Sequence, residues 1–192
     1  MGRLIDRDDS LLLVVDAQSR FYGGELGDPM RAALAVAAWL AGVATALGVP
    51  AVVTEEDAER NGPTDAAIRA KLPPATLVLA KHVFGAADQP DILAAIEATG
   101  RRSAVVVGLE TDVCVSHTAL GLADRGYRVV VVEDATYAPE ATHDAGLRRM
   151  ASAGVELVHA KGVYYEWVRT LEAARAFERD HPALADPPGF RL

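Results

Sequence analysis

Cysteine is nearly absent from this chain, which carries a single one, Cys114. One cysteine excludes an internal disulfide framework and is typical of a protein from a reducing compartment. Basic residues are also in deficit, since 19 Lys and Arg stand against 27 Asp and Glu, for a formal net charge of -8 at pH 7. An acidic chain is a poor match for nucleic acid or an anionic membrane, so we expect neither as a partner.

Long uninterrupted apolar runs are missing as well. Charges or glycines interrupt each apolar stretch before the ~18 residues of a membrane span. The segment from Met1 to Asp9 has no apolar core of signal-peptide length. We therefore expect a cytoplasmic protein without a membrane-spanning segment.

Short apolar runs alternate with helical patterns along the whole chain. Strands read as continuous apolar runs when both faces are buried, and their alternation with helices implies a parallel sheet. We predict one α/β domain over residues 1–192, with a tail from about 180, built as a three-layer α/β/α sandwich. Its six-stranded, mostly parallel sheet is expected in the order 3-2-1-4-5-6. The predicted strands are 11–15, 51–54, 76–80, 103–109, 128–132 and 155–159, and the last predicted helix is 164–179.

Three chemically useful side chains follow predicted strands. Asp16 ends the first, Lys81 ends the third, and Cys114 follows the fourth, in the first turn of a predicted helix. Ligands bind at the carboxyl ends of strands in such sheets, so we expect the three to converge. The helix start and Lys81 favour a thiolate although Asp16 opposes it, and we predict a lowered pKa for Cys114. Each residue also has a plainer interpretation: Asp16 as a turn cap, Lys81 as a surface residue, and Cys114 as a small core hydrophobe.

The sequence resembles the isochorismatase-like cysteine hydrolases. The resemblance is carried by Asp16-Ala17-Gln18, by Lys81-His82-Val83-Phe84-Gly85 and above all by Gly108-Leu109-Glu110-Thr111-Asp112-Val113-Cys114-Val115, and it covers about residues 11–160. It implies the α/β/α fold and a triad of Asp16, Lys81 and Cys114. It also implies a cis peptide at Leu109–Glu110, which turns the amides of Glu110 and Cys114 towards an oxyanion.

Two departures from family patterns refine the expected chemistry. Family nicotinamidases bind a metal through an Asp-x-His…His motif after the second strand, but Thr54–Arg60 contains no histidine here. We expect no metal and no cofactor, although the carboxylates of residues 55–59 could bind a hard cation. True isochorismatases, which cleave a vinyl ether, lack the cysteine, so its presence favours hydrolysis of a C–N bond.

The leading hypothesis is a cysteine-dependent hydrolase of a small amide, carbamoyl or ureido compound, acting through a thioester. The alternatives are a non-catalytic binding or assembly module and a thiol-redox protein, which would need an external thiol. The expected substrate-binding residues are Gln18, Phe21, Tyr22, Glu55, Phe84 and Tyr137.

A homodimer or larger homo-oligomer is also expected. The resemblance implies association, and Trp39, Tyr165 and Trp167 read as exposed apolar groups. The alternative is that both tryptophans pack in the core of the chain itself.

Overall fold

One sheet of six strands organises the computed structural model, which describes residues 4–24 and 27–192. The strand order is β3-β2-β1-β4-β5-β6, and every neighbouring pair is parallel. The predicted order is therefore confirmed. The strands are β1 Ser10–Val15, β2 Ala51–Glu56, β3 Val78–Lys81, β4 Ser103–Leu109, β5 Arg128–Tyr137 and β6 Glu156–Val158.

Helices cover both faces of this sheet. A π-helical turn, Thr111–Val115, stands immediately before the fifth helix. The helices are α1 Asp28–Ala46, α2 Ala58–Asn61, α3 Ala66–Arg69, α4 Pro90–Ala98, α5 Ser116–Asp124, α6 Thr142–Ser152, α7 Ala160–Val168 and α8 Leu171–Asp180.

Two apolar clusters, one on each side of the sheet, form the core. Successive side chains of a strand point to opposite faces. Accordingly Leu12 and Val14 of β1 pack with α1, α7 and α8, whereas Leu11 and Leu13 pack with α4, α5 and α6. All four side chains are fully buried. This arrangement is the predicted three-layer sandwich.

Helix α1 differs from the expectation that no segment has the character of a membrane span. By length and composition alone it is long and apolar enough to cross a bilayer. However, 67% of that stretch is buried inside the fold. The helix is apolar on most sides because it is sandwiched between the sheet and other helices.

The C-terminal region corrects one prediction and adds a contact that was not predicted. The single helix expected over 164–179 is two helices, because Arg169 takes a left-handed conformation (φ 67°) and the Thr170 side chain then caps α8. Part of the tail is docked on α1, since the indole N–H of Trp39 donates to the Leu184 carbonyl at 2.8 Å and the ring of Phe190 meets Trp39 edge-on.

The tryptophans expected at the surface are core residues. Trp39 is 3% exposed and Trp167 is 2% exposed. The indole N–H of Trp167 donates to the hydroxyl of Ser10 at 3.2 Å. The prediction that they are exposed is therefore wrong, because each ring finds apolar neighbours and a hydrogen-bond acceptor inside the chain. Tyr165 remains 39% exposed.

Close contact between β1 and β4 depends on Gly108. Its φ is +126°, and a Cβ atom there would lie 1.8 Å from the carbonyl oxygen of Val15. The pairing of β4 with β5 is irregular between Val106 and Gly108. Only glycine allows the end of β4 to approach the end of β1 this closely.

Candidate active site

The side chains of Asp16, Lys81 and Cys114 meet at the carboxyl edge of the sheet. The Lys81 ammonium nitrogen lies 2.9 Å from Oδ2 of Asp16, and the side chains of both residues are 0% exposed. The same nitrogen donates to Sγ of Cys114 at 3.5 Å. The three side chains therefore converge as predicted.

Asp16 occupies a strained position at the end of β1. Its φ is 47°, in a region that residues other than glycine seldom adopt. The hydroxyl of Thr54 in β2 donates to Oδ1 of Asp16 at 2.7 Å and leaves Oδ2 for the lysine. Residues held in such conformations cluster at functional sites, where surrounding contacts offset the cost.

Lys81 is held by the loop that follows β3. Its ammonium donates to the carbonyls of Val83 at 2.5 Å and Phe84 at 3.2 Å, besides its contact with the thiol. A buried charge is tolerated only when it is paired and hydrogen-bonded. The interpretation of Lys81 as an ordinary surface residue is therefore wrong, since the side chain is fully buried and fully engaged.

Cys114 lies in the π-helical turn before α5 rather than in the first α-helical turn that was predicted. Gly146 of α6 allows a close approach to this turn, because a Cβ there would lie 2.8 Å from Cα of Asp112. Helix α6 thus packs tightly against this turn, and Cys114 is 5% exposed.

Burial dominates the ionisation of the site. It is the main reason that the pKa of the Cys114 thiol is raised, to about 12; the charge of Asp16 acts in the same direction and Lys81 opposes it. The predicted lowering of the Cys114 pKa is wrong, because desolvation together with one anion outweighs one cation.

Burial also raises the pKa of the Asp16 carboxyl, against the lowering influence of Lys81 and Thr54. A raised carboxyl pKa makes Asp16 a better proton acceptor than an ordinary aspartate. With its pKa raised to about 12, the Cys114 thiol is protonated near neutral pH, so a thiolate would form only when a neighbouring group accepts the proton.

The backbone before Cys114 has the conformation that the resemblance implies. The peptide bond between Leu109 and Glu110 is cis. The carbonyl of Glu110 accepts from the amides of Val113 at 3.2 Å and Val115 at 3.0 Å, so this residue begins the turn that carries the thiol.

A cavity of about 530 Å³ opens beside this turn. Phe21 and Glu110 line it as expected, but most of the lining was not predicted. The other lining residues are Arg20, Gly23, Glu56, Arg60 and Asn61. Their common feature in the sequence is that they lie at or after the carboxyl ends of β1 and β2, where ligands bind in such sheets.

Two residues expected to bind substrate, Gln18 and Glu55, make hydrogen bonds within the fold. The Gln18 amide donates to the carbonyls of Glu56 at 3.0 Å and Gly62 at 2.5 Å, and its oxygen accepts from the Glu56 amide. Glu55 accepts from the amide and the hydroxyl of Thr64, each at 2.7 Å. Both side chains have internal partners that sequence patterns do not reveal.

The remaining expected contacts are spread around the site. Phe84 is 57% exposed and its ring meets His117 edge-on at 5.9 Å. Tyr137 lines a different hollow, of about 380 Å³, beside His143. The side chain of Tyr22 lies outside the described residues. Neither Phe84 nor Tyr137 is part of the lining of the 530 Å³ cavity.

Sequence comparison assigns the family. The Isochorismatase domain model matches residues 10–161. The chain belongs to the isochorismatase family. The probable hydrolase YcaC of Escherichia coli (strain K12) is 27% identical over 184 residues, which cover 92% of this chain and 88% of that protein.

Solved structures of two YcaC proteins share the isochorismatase fold of this chain. The E. coli protein, described as an octameric hydrolase of unknown specificity, has a TM-score of 0.83 at 26% identity, covering 96% of this chain and 94% of that one. YcaC from Pseudomonas aeruginosa, solved with hexane-2,5-diol and covalent acrylamide, has a TM-score of 0.82 at 25% identity, covering 96% of this chain and 95% of that one.

The acidic residues at the end of β2 make internal hydrogen bonds in this family member. Oε2 of Glu56 accepts from the Asn61 amide at 2.6 Å, and Glu55 is bound to Thr64 as described. Within residues 4–24 and 27–192, no three His, Cys, Asp or Glu side chains are grouped as ligands for a metal ion.

Proposed function

We propose that this protein is a cysteine-dependent hydrolase of a small amide, carbamoyl or ureido compound. One observation carries the proposal: the Lys81 ammonium lies within 2.9 Å of the Asp16 carboxylate and 3.5 Å of the Cys114 sulfur. A nucleophile, a proton acceptor and a cation in mutual contact form a complete set for covalent acyl transfer.

The first half of the reaction forms a thioester. As the thiol attacks the carbonyl carbon, its proton moves to Asp16, and the new carbon–sulfur bond gives a tetrahedral oxyanion. The backbone amides of Glu110 and Cys114 are proposed to bind that oxyanion. Asp16 then returns the proton to the leaving nitrogen, the carbon–nitrogen bond breaks, and ammonia or an amine departs.

The second half restores the thiol. Water attacks the thioester carbonyl and gives a proton to Asp16, which passes it to the departing sulfur. Lys81 holds its position throughout and balances the negative charge that moves between oxygen and sulfur. The sum is one amide and one water converted to one acid and one amine, and the protein's own residues supply each proton transfer.

The relatives support this chemistry without defining the substrate. Acrylamide is bound covalently in the Pseudomonas aeruginosa relative, which is the behaviour expected of a fold that presents a strong nucleophile. The 530 Å³ cavity beside Glu110 is of a size for a small molecule. We further propose that the protein acts in the cytoplasm without a metal or cofactor, and that it assembles as a homo-oligomer, as the octameric E. coli relative does.

Turnover of a panel of small amides, carbamoyl compounds and ureides tests the proposal through release of ammonia or amine. Cys114→Ala should abolish turnover, because the covalent route is lost, while circular dichroism remains that of the wild type. Ser116→Ala is the matched control: it removes one polar atom from a side chain that is also buried, two positions further along the chain.

Three outcomes would contradict the proposal. Full activity in Cys114→Ala would exclude the thiol as nucleophile. Activity that EDTA abolishes and zinc restores would assign the chemistry to a metal. No turnover of the whole panel by the wild type would favour a non-catalytic binding module.

A further inference from the structure

The three side chains of the candidate active site are not held in the same way. Asp16 directly follows β1, and its amide donates to the Thr54 carbonyl of β2 at 3.1 Å. Lys81 is the last residue of β3, so the sheet fixes the backbone of both residues. Cys114 stands beyond the end of β4, on the π-helical turn Thr111–Val115. The place of its sulfur therefore depends on what holds that turn.

Helix α6 contacts two successive residues of the turn with one of its faces. His143 and Gly146 are three positions apart, so they lie on the same side of the helix. Nδ1 of His143 and the hydroxyl of Thr111 form a hydrogen bond at 2.8 Å. At Gly146 a Cβ would lie 2.8 Å from Cα of Asp112, so the two backbones are in close contact. One stripe of α6 thus holds the turn through a polar contact and through backbone packing.

The hydrogen bond to His143 satisfies a buried polar group. Thr111 is 0% exposed, and a buried hydroxyl without a hydrogen bond is costly. A hydroxyl both donates and accepts, so the bond forms with either tautomer of the imidazole and with the protonated ring. The contact joins the first residue of a rare type of turn to a regular helix, and it does not depend on the ionisation of His143.

We propose that His143 is a positioning residue, which acts through Thr111 to keep the Cys114 sulfur in place beside the Lys81 ammonium. The proposal rests on the cysteine-dependent hydrolysis proposed above and adds a residue that sets the place of its nucleophile. The contact to be kept is long already, since the Lys81 ammonium donates to the sulfur at 3.5 Å. A misplacement of about 1 Å can lower the rate of a reaction by about 100-fold.

A loosened turn should change two properties of the thiol in opposite directions. Burial is the main reason that the pKa of Cys114 is raised to about 12. Water that enters beside a loosened turn should lower this pKa and make alkylation faster. Turnover should become slower, because the sulfur no longer keeps its place beside Lys81. A contact that only stabilises the fold would change neither property in the folded protein.

Two pairs of variants test the role of His143. Thr111→Val removes the hydroxyl with little change of shape, whereas Thr111→Ser keeps it. His143→Leu removes the hydrogen-bonding atoms, whereas His143→Asn, of similar size, places an amide group near the position of Nδ1. Asp144→Asn is the matched control, because it changes an exposed side chain next to His143 on the same helix.

Steady-state kinetics on an amide from the panel and iodoacetamide alkylation are measured for each folded variant. We expect Thr111→Val and His143→Leu to lower kcat by about 10- to 100-fold, with KM changed by less than about twofold. Their alkylation at about pH 8 should be at least about threefold faster than that of the wild type. Thr111→Ser, His143→Asn and Asp144→Asn should behave like the wild type in both assays, and circular dichroism should show that all five are folded.

The role of His143 and the proposed hydrolysis can fail separately. An active wild type with unchanged kcat and alkylation in Thr111→Val and His143→Leu would overturn the role of His143 alone. Equal losses in Thr111→Ser and His143→Asn would also overturn it, since these variants keep a hydrogen-bonding group. A wild type that hydrolyses no member of the panel would overturn the proposed hydrolysis. If Thr111→Val does not fold, the half-buried His143 provides the same test through its own pair of variants.

Discussion

Replacing Asp16 with asparagine should make the Cys114 thiol more reactive while stopping catalysis. The pKa of the thiol is raised from 9.0 to about 12, which makes its ionisation about 4 kcal/mol less favourable. At about pH 8 this leaves roughly one thiolate in ten thousand molecules, against about one in ten for an ordinary cysteine. Asp16 contributes to the increase both by its charge and by its hydrogen bond to the thiol.

The substitution removes those two contributions and leaves burial and Lys81 in place. We expect the thiol pKa to fall by about one to two units, so alkylation at about pH 8 becomes about 10- to 100-fold faster. Amide turnover should nevertheless be lost, because a side-chain amide in place of the carboxylate neither accepts the thiol proton nor returns it to the leaving nitrogen. Faster alkylation with lost turnover separates thiol activation from catalysis.

The assay is the rate of iodoacetamide alkylation, followed by intact-protein mass spectrometry from about pH 6 to about pH 11. Asp112→Asn is the control, since Asp112 stands two positions from the thiol without contributing to its raised pKa, and its alkylation rate should equal that of the wild type. A wild-type rate that reaches its plateau near neutral pH, or no acceleration in Asp16→Asn, would refute the electrostatic reasoning.

Two further substitutions test the framework of the site. Gly108→Ala should cost at least about 3 kcal/mol in urea unfolding or prevent folding, because its Cβ would overlap the Val15 carbonyl. Gly48→Ala, also at positive φ but with nothing within 4 Å of its Cβ, should cost about 1–2 kcal/mol. Equal costs would show that overlap with Val15 is not the cause. Lys81→Met should cost about 3–5 kcal/mol near neutral pH, because it leaves Asp16 buried without its cation. A carboxyl whose pKa is raised in the folded state favours folding below its unfolded pKa of 3.8, and this contribution is lost as the pH rises through the folded-state pKa. The stability lost in Lys81→Met should therefore shrink towards about pH 4. A stability loss independent of pH would show that the ion pair is not its cause.

The sheet was predictable because its strands have a clear apolar pattern in the sequence. Continuous apolar runs such as Leu11–Val15 fit only strands buried on both faces, and the chemistry-bearing residues follow three of them. The turn at Arg169 was not predictable, because a left-handed conformation without glycine is a local choice imposed by the packing of α7 and α8.

The convergence of Asp16, Lys81 and Cys114 was predictable, but the electrostatics of this cluster were not. Position at a helix start suggests a stabilised thiolate, whereas burial, which is a property of the folded chain, raises the pKa of the Cys114 thiol. Similarly, Gln18 and Glu55 find their partners at Gly62 and Thr64, through pairings of loops that no short pattern encodes.

During turnover, Cys114 should carry the acyl group of the substrate. Acid quenching during steady-state hydrolysis of an amide from the panel, followed by intact and peptide mass spectrometry, measures this directly. We predict an added mass equal to the acyl group on the peptide that contains Cys114, released by hydroxylamine as expected for a thioester, and absent from Cys114→Ala. Steady turnover with the acyl group on another residue, or undiminished turnover in Cys114→Ala, would show that Cys114 is not the nucleophile.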